Sequence, residues 1–153
     1  MKTLNYAQSG DPYLSEIMFI GEDLGSAFYF QYGGEYKDLM EYLVPSNYNM
    51  HKLYDNEGYT WYPDDLINEL NNVQPQIINH DGHGYTNYML KMGSYNFYEL
   101  ENQKPFFIYS HSCLTGSFDN WVPYGNQYLK EDCIAEILTC EIPYGAYACI
   151  LNA

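Results

Sequence analysis

Two apolar runs of strand length, each breaking into small and polar residues, constrain this chain more than any other feature. The first is Ile77-Ile78-Asn79, which continues as His80-Asp81-Gly82-His83-Gly84. The second is Phe106-Phe107-Ile108-Tyr109-Ser110, which continues as His111-Ser112-Cys113-Leu114-Thr115-Gly116. Short apolar runs closed by turn residues read as buried strands. If both are parallel strands, their carboxyl ends lie side by side, where an open α/β sheet holds its chemistry. His83 and Cys113 then meet at one sheet edge, the pattern of a cysteine nucleophile with a histidine partner.

The remaining elements alternate. Glu16 to Gly21 reads as a strand, and Tyr36 to Val44 has helical spacing ended by Pro45. Met50 to Tyr54 reads as a strand, followed by a turn at Asp55-Asn56-Glu57-Gly58. Pro63 with Asp64-Asp65 starts a helix whose apolar set is Leu66, Ile67, Leu70 and Val73. The histidine-bearing strand spans Gln76 to Asn79. Tyr85 to Met92 alternates weakly, as a hairpin arm or irregular chain, and Ser94 to Asn102 reads as a short helix. The strand Phe106 to Ser110 is entered through Pro105, and Asn120 to Lys130 reads as loop. Glu131 to Cys140 reads as a helix with Cys133, Ile134, Ile137, Leu138 and Cys140 toward the core. Tyr144 to Leu151 is the last strand. Strands alternating with helices imply right-handed crossovers and a mainly parallel sheet between two helical layers, an α/β three-layer sandwich. No linker or repeat divides residues 1–153, so one domain is expected.

Composition narrows the function classes. With 153 residues and 46% hydrophobic content the chain can bury a sizeable core. Its 20 acidic and 6 basic residues give a net charge of -14, which leaves no basic footprint for nucleic acid. An acidic surface steers basic peptides or cations. No stretch approaches the ~20 apolar residues of a membrane span. The segment Met1 to Asp11 is polar and lacks the apolar core of a signal peptide. The four cysteines form no CxxC pair, so no zinc framework is visible. Cys133 and Cys140, seven apart, are expected on one helix face and, with Cys149, in the core. The 19 tyrosines suit half-buried surfaces.

Cys113 leaves a buried strand among small residues that let a substrate carbonyl approach. A neighbouring imidazole stabilises the thiolate or protonates a leaving amine. Gly82 and Gly84 flank His83, and glycine permits unusual backbone angles and close approach. The Gly84 and Cys113 amides could together bind an oxyanion. His80, Asp81 and His83 are also an alternative metal-ligand cluster, the basis of a metal-dependent hydrolase. His111, two residues before Cys113, shares its strand face if the chain is extended. Asp55, Glu57, Asp64 and Asp65 form an acidic group able to orient His83 or bind calcium.

On these residues the chain resembles the gingipain family of cysteine peptidases, which share the caspase-like fold. The landmarks are Asn79-His80-Asp81-Gly82-His83-Gly84 and Ser112-Cys113-Leu114-Thr115-Gly116-Ser117-Phe118-Asp119. Others are Phe19-Ile20-Gly21-Glu22-Asp23, Gly33-Gly34-Glu35-Tyr36-Lys37-Asp38, Glu131-Asp132-Cys133 and Gly145-Ala146-Tyr147-Ala148. The resemblance implies a Cys113/His83 dyad that cleaves peptide bonds through a thioester, with the Gly84 and Cys113 amides as oxyanion hole. It implies no required cofactor, with structural calcium possible, and assures no third catalytic residue; Asp81 and Glu57 are the candidates for an orienting acid. It further implies a peptide or protein substrate, with an Arg or Lys preference in an acidic cleft, and no membrane insertion. A larger multidomain parent at the cell surface or outside the cell follows from it, as does a domain incomplete at its C-terminal end. The competing reading is a non-catalytic caspase-like binding or adhesion module.

Overall fold

The structure is a computed structural model that describes residues 2–3, 12–122 and 125–153. The Met1 to Asp11 segment therefore lies almost wholly outside the described residues. Five parallel strands form the central sheet: β1 (Glu16–Gly21), β2 (Asn49–Tyr54), β3 (Ile77–Asp81), β7 (Phe106–Ser110) and β10 (Ala146–Ile150). Their order is β10-β7-β3-β1-β2. The chain winds outward from β1 to β2, returns across β1 to β3, and then winds the other way. The direction of winding reverses between β1 and β3, the place where open α/β sheets form a ligand crevice. As the sequence leads one to expect, β3 and β7 are parallel neighbours, with His80 in register with Ser110.

The sheet is covered on both faces. One face carries Met18, Ile20, Ile78 and Ile108, all buried, against helix α2 (Pro63–Asn72) and the segment Ile134–Glu141. Pro63 occupies the first turn of α2, where its missing N–H costs nothing, and Asp65 accepts the Tyr62 amide at 2.8 Å. Leu66 and Leu70, one turn apart, face the core. The buried Trp61 just before α2 donates its indole N–H to the Gly21 carbonyl at the end of β1 (3.1 Å). Helix α1 (Gly33–Asp38) covers the opposite face beside β1 and β3.

Four segments depart from the sequence reading. The helix expected from Tyr36 to Val44 begins at Gly33, ends at Asp38 and continues as a 3₁₀ turn over Glu41–Leu43. Leu39 and Leu43 consequently stand in solvent despite their helical spacing. The Glu131–Cys140 helix is one α turn, α3 (Ile134–Glu136), followed by a π turn over Ile137–Glu141. The i→i+5 bond from the Ile142 amide to the Ile137 carbonyl shifts the phase, so Cys133 is buried while Cys140 is exposed. The Asn120–Lys130 loop contains a small ribbon, β8 (Trp121–Val122) with β9 (Gln127–Tyr128). The ambiguous Tyr85–Met92 stretch resolves into the antiparallel strands β4 (Gly84–Tyr85), β5 (Tyr88–Met89) and β6 (Met92–Gly93). Ser94–Glu99 is 3₁₀ rather than α. No described helix is long and apolar enough to cross a membrane.

Candidate active site

Alternation along β3 sends His80 to one face of the sheet and Asp81 to the other. His80 is fully buried, and its Nε2 donates to Glu22 Oε1 at 2.9 Å. Glu22 is itself buried, at the residue after β1, so one hydrogen bond ties together the ends of β1 and β3. Its second oxygen, Oε2, accepts the His83 amide at 3.3 Å. On the other side of the ring, Nδ1 lies 2.7 Å from Ser110 Oγ at the end of β7. Ser110 Oγ also accepts the Ser112 amide (3.1 Å) and lies 2.8 Å from Ser112 Oγ, which reaches Thr115 Oγ1 at 3.0 Å. A buried polar chain therefore runs from the His83 loop under the turn that carries Cys113.

That turn is tight. Leu114, immediately after Cys113, takes a positive φ of 58°, a conformation costing on the order of 1–3 kcal/mol outside glycine. It is held by the Ser112–Thr115 contact and by Asn152, whose side chain donates to the Ser112 carbonyl at 3.1 Å. The Gly116 amide donates to the Asn152 carbonyl at 2.7 Å. The glycines beside His83 work through space rather than unusual angles, since neither has a positive φ. A side chain at Gly82 would stand 2.3 Å from His80 Nε2, and one at Gly84 2.5 Å from Ser112 Cβ and 2.8 Å from the Cys113 carbonyl. Only glycine lets the histidine loop lie against the cysteine turn.

His83 is exposed, and its Nε2 donates to the Asp23 carbonyl at 2.9 Å. In the neutral ring this leaves Nδ1 free of hydrogen and able to take a proton. Asp23 is held in turn by Asp55, whose Oδ2 accepts the Asp23 amide at 2.8 Å. Asp55 Oδ1 accepts from Lys91 Nζ (2.7 Å), Thr60 Oγ1 (2.7 Å) and the Trp61 amide (3.2 Å). Burial pushes the Asp55 carboxyl up, but the bonds from Lys91, Thr60 and Asp23 outweigh it and hold it below the ordinary value.

Cys113 is exposed and lines one cavity of about 550 Å³ together with His83, Gly84, Asp81 and His111. Among the described residues no hydrogen bond joins His83 to Cys113, and the Cys113 amide has no acceptor. Asp81 lies 4.0 Å from Lys37 Nζ and 4.0 Å from His111 Nδ1, and His111 Nε2 is bonded to the Tyr109 hydroxyl. Burial lowers the Lys37 ammonium and Asp81 partly counters this. The other thiols differ. Burial pushes Cys133 up to about 11 and raises Cys149, while Cys140 is exposed away from the cavity.

The structure thus brings Cys113, His83 and Gly84 to one cavity, with Asp81 in its wall and Glu57 outside it. Asp81 and Glu57 make no hydrogen bond to His83; Asp81 faces α1 and Glu57 is exposed in the Asp55–Gly58 turn. His80 is buried against Glu22 while Asp81 and His83 line the cavity, and among the described residues no three His, Cys, Asp or Glu side chains converge as a metal site. The acidic group also disperses, with Asp55 buried against Lys91 and Asp65 bonding the start of α2. Sequence reasoning did not single out Glu22 or the Asp23 carbonyl. Their signal was present, because both directly follow a strand that neighbours β3.

The profile of Peptidase family C25 matches residues 1–152, and the chain belongs to that family. No curated protein sequence matches it. Two solved structures are similar in fold. The Arg-specific cysteine proteinase gingipain R (RgpB) has 23% identity and a TM-score of 0.75, with 97% of this chain and 35% of that chain covered. The complex of the RgpB pro- and mature domains from Porphyromonas gingivalis has 23% identity and a TM-score of 0.73, with 97% and 36% covered. The chain therefore has the caspase-like α/β sandwich of those proteinases and spans about a third of their length.

Two consequences are measurable. Removing one member of the buried Glu22–His80 pair strands the other, so Glu22→Leu or His80→Phe should each cost about 3–5 kcal/mol. The double substitution should cost less than the sum of the two, a coupling that urea unfolding of the four proteins reads directly. The depressed Asp55 carboxyl contributes stability that is present above its unfolded value of about 3.9 and is lost as pH falls through the lower folded value. Acid unfolding followed by circular dichroism should show that loss below about pH 4, and Asp55→Asn should flatten it.

Proposed function

We propose that this chain is the catalytic portion of a cysteine endopeptidase, with Cys113 as nucleophile and His83 as its acid–base partner. The observation that carries the reading is their convergence, from strands β3 and β7, on one cavity at the reversal point of the sheet. The Cys113 thiolate attacks the scissile carbonyl carbon and forms a carbon–sulfur bond. The carbonyl electron pair moves to oxygen, and the oxyanion is bound by the Cys113 amide with the Gly84 amide. Collapse expels the amine, which takes a proton from His83 and leaves a thioester. Water, losing a proton to His83, then hydrolyses the thioester and releases the acid and the thiolate. The Nε2 bond to the Asp23 carbonyl supports Nδ1 as the nitrogen that exchanges these protons. Glu22 acts through the His83 backbone and is a positioning residue.

Membership of a peptidase family and the fold shared with cysteine proteinases support the same reading. Peptide or protein substrates, a larger multidomain parent and an extracellular or cell-surface setting belong to it. In a fluorogenic peptide assay, Cys113→Ala should abolish turnover and His83→Ala should lower it by about 10²–10⁴-fold, both variants remaining folded. Undiminished turnover in Cys113→Ala would refute the dyad. A folded wild type with no turnover would favour a non-catalytic binding module.

A further inference from the structure

The cavity that Cys113 and His83 share extends away from them over α1, and its chemistry is not that of the acidic surface around it. Its walls are Leu24, Phe28, Tyr36, Leu39 and Met40. Phe28 is 56% exposed and Leu39 60% exposed, so two large apolar side chains stand in solvent at the cavity rather than in the core. Apolar groups gathered around a concave site mark a surface built to be covered. A volume of about 550 Å³ is ample for one large side chain and its backbone.

The lining contains a single acidic residue, Asp81, and that carboxylate already faces the Lys37 ammonium. Lys37 Nζ lies 4.0 Å from it on one side and His111 Nδ1 4.0 Å on the other. The Lys37 ammonium is sealed, with a side chain 1% exposed and a 2.8 Å bond to Asn79 Oδ1, so it offers no free charge to an acidic ligand either. An incoming guanidinium or ammonium would be desolvated by apolar walls and would share its one counter-charge in the lining with the Lys37 ammonium. An apolar side chain meets neither cost.

We propose that this cavity receives the side chain of the residue that supplies the attacked carbonyl, and that it selects a large apolar residue such as Phe, Leu or Met over Arg or Lys. This rests on the Cys113/His83 reading. The assignment to that residue follows from bonding: its side chain branches from the carbon attached to the attacked carbonyl, and Cys113 itself lines the cavity. The side chain on the amine side is one bond farther away. The selectivity proposed here departs from the Arg or Lys preference that the family resemblance implies.

The test uses peptidyl acyloxymethyl ketones of one backbone sequence, with Phe, Leu, Arg, Lys or Asp beside the ketone. The Cys113 sulfur displaces the carboxylate, forming a carbon–sulfur bond as the carbon–oxygen bond breaks, and mass mapping reads the adduct. The Phe and Leu probes should label Cys113 at least about tenfold faster than the Arg and Lys probes, the scale of a pocket discriminating by one well-matched group. In Lys37→Met the freed Asp81 should narrow that ratio by raising Arg and Lys labelling. Fastest labelling by Arg, Lys or Asp in the wild type, or equal labelling by all five, would overturn the selectivity while leaving the dyad standing. Failure of every probe to label Cys113 in folded protein would instead overturn the dyad and the selectivity with it.

Discussion

The hydrogen bond between Glu22 and His80 is the constraint on which the site depends. It joins side chains at the paired ends of β1 and β3, where the sheet reverses its winding. Both groups are buried, so each is costly without the other. Because Glu22 has a second oxygen and His80 a second nitrogen, the pair reaches outward in two directions. One reaches the His83 amide; the other passes through Ser110 to the Ser112 amide, next to Cys113. A single buried pair thereby sets the relative position of two loops that are 30 residues apart in the chain.

Around that pair, space is allotted by glycine and by chain geometry. The absence of a side chain at Gly82 admits the carboxylate–imidazole contact, and its absence at Gly84 admits the cysteine turn. The strained Leu114 aims the turn and is restrained from behind by Asn152, from the segment that follows β10. The histidine ring is fixed from the other side by the Asp23 carbonyl, with Asp55 and Lys91 behind it. An exposed cysteine and an exposed histidine are in this way held by buried partners without being bonded to each other.

Much of this was legible along the chain. Phe106 to Ser110 is a strand with the expected bounds, because Pro105 and the polar residues after Ser110 punctuate an apolar run. The juxtaposition of His83 with Cys113 followed from two parallel runs and the handedness of crossovers. What escaped is what depends on partners distant in sequence. Glu22 meets His80 across 58 residues, and its place just after β1 tells only once β1 is known to neighbour β3. Nor does anything local show that Lys37 is buried beneath the cavity. Cys140 escaped for a different reason: a helical period assumes α winding, and the π turn at Ile137–Glu141 breaks that phase. Asp81 is close to His83 in sequence and lines the same cavity, but its carboxylate faces Lys37 of α1 and makes no hydrogen bond to the His83 ring.

If His83, held by Glu22 and the Asp23 carbonyl, activates Cys113, that thiol must react faster than an exposed thiol with no such partner. Cys140 is a second exposed thiol in the same molecule and serves as an internal reference. The direct measurement is the ratio of iodoacetamide alkylation rates at Cys113 and Cys140, read by peptide mass mapping in wild type, His83→Ala and Glu22→Leu. A neighbouring imidazole that favours the thiolate should make Cys113 at least about tenfold faster than Cys140. The advantage should vanish in His83→Ala and shrink in Glu22→Leu. Equal rates in the wild type, or a ratio that His83→Ala leaves unchanged, would contradict the account.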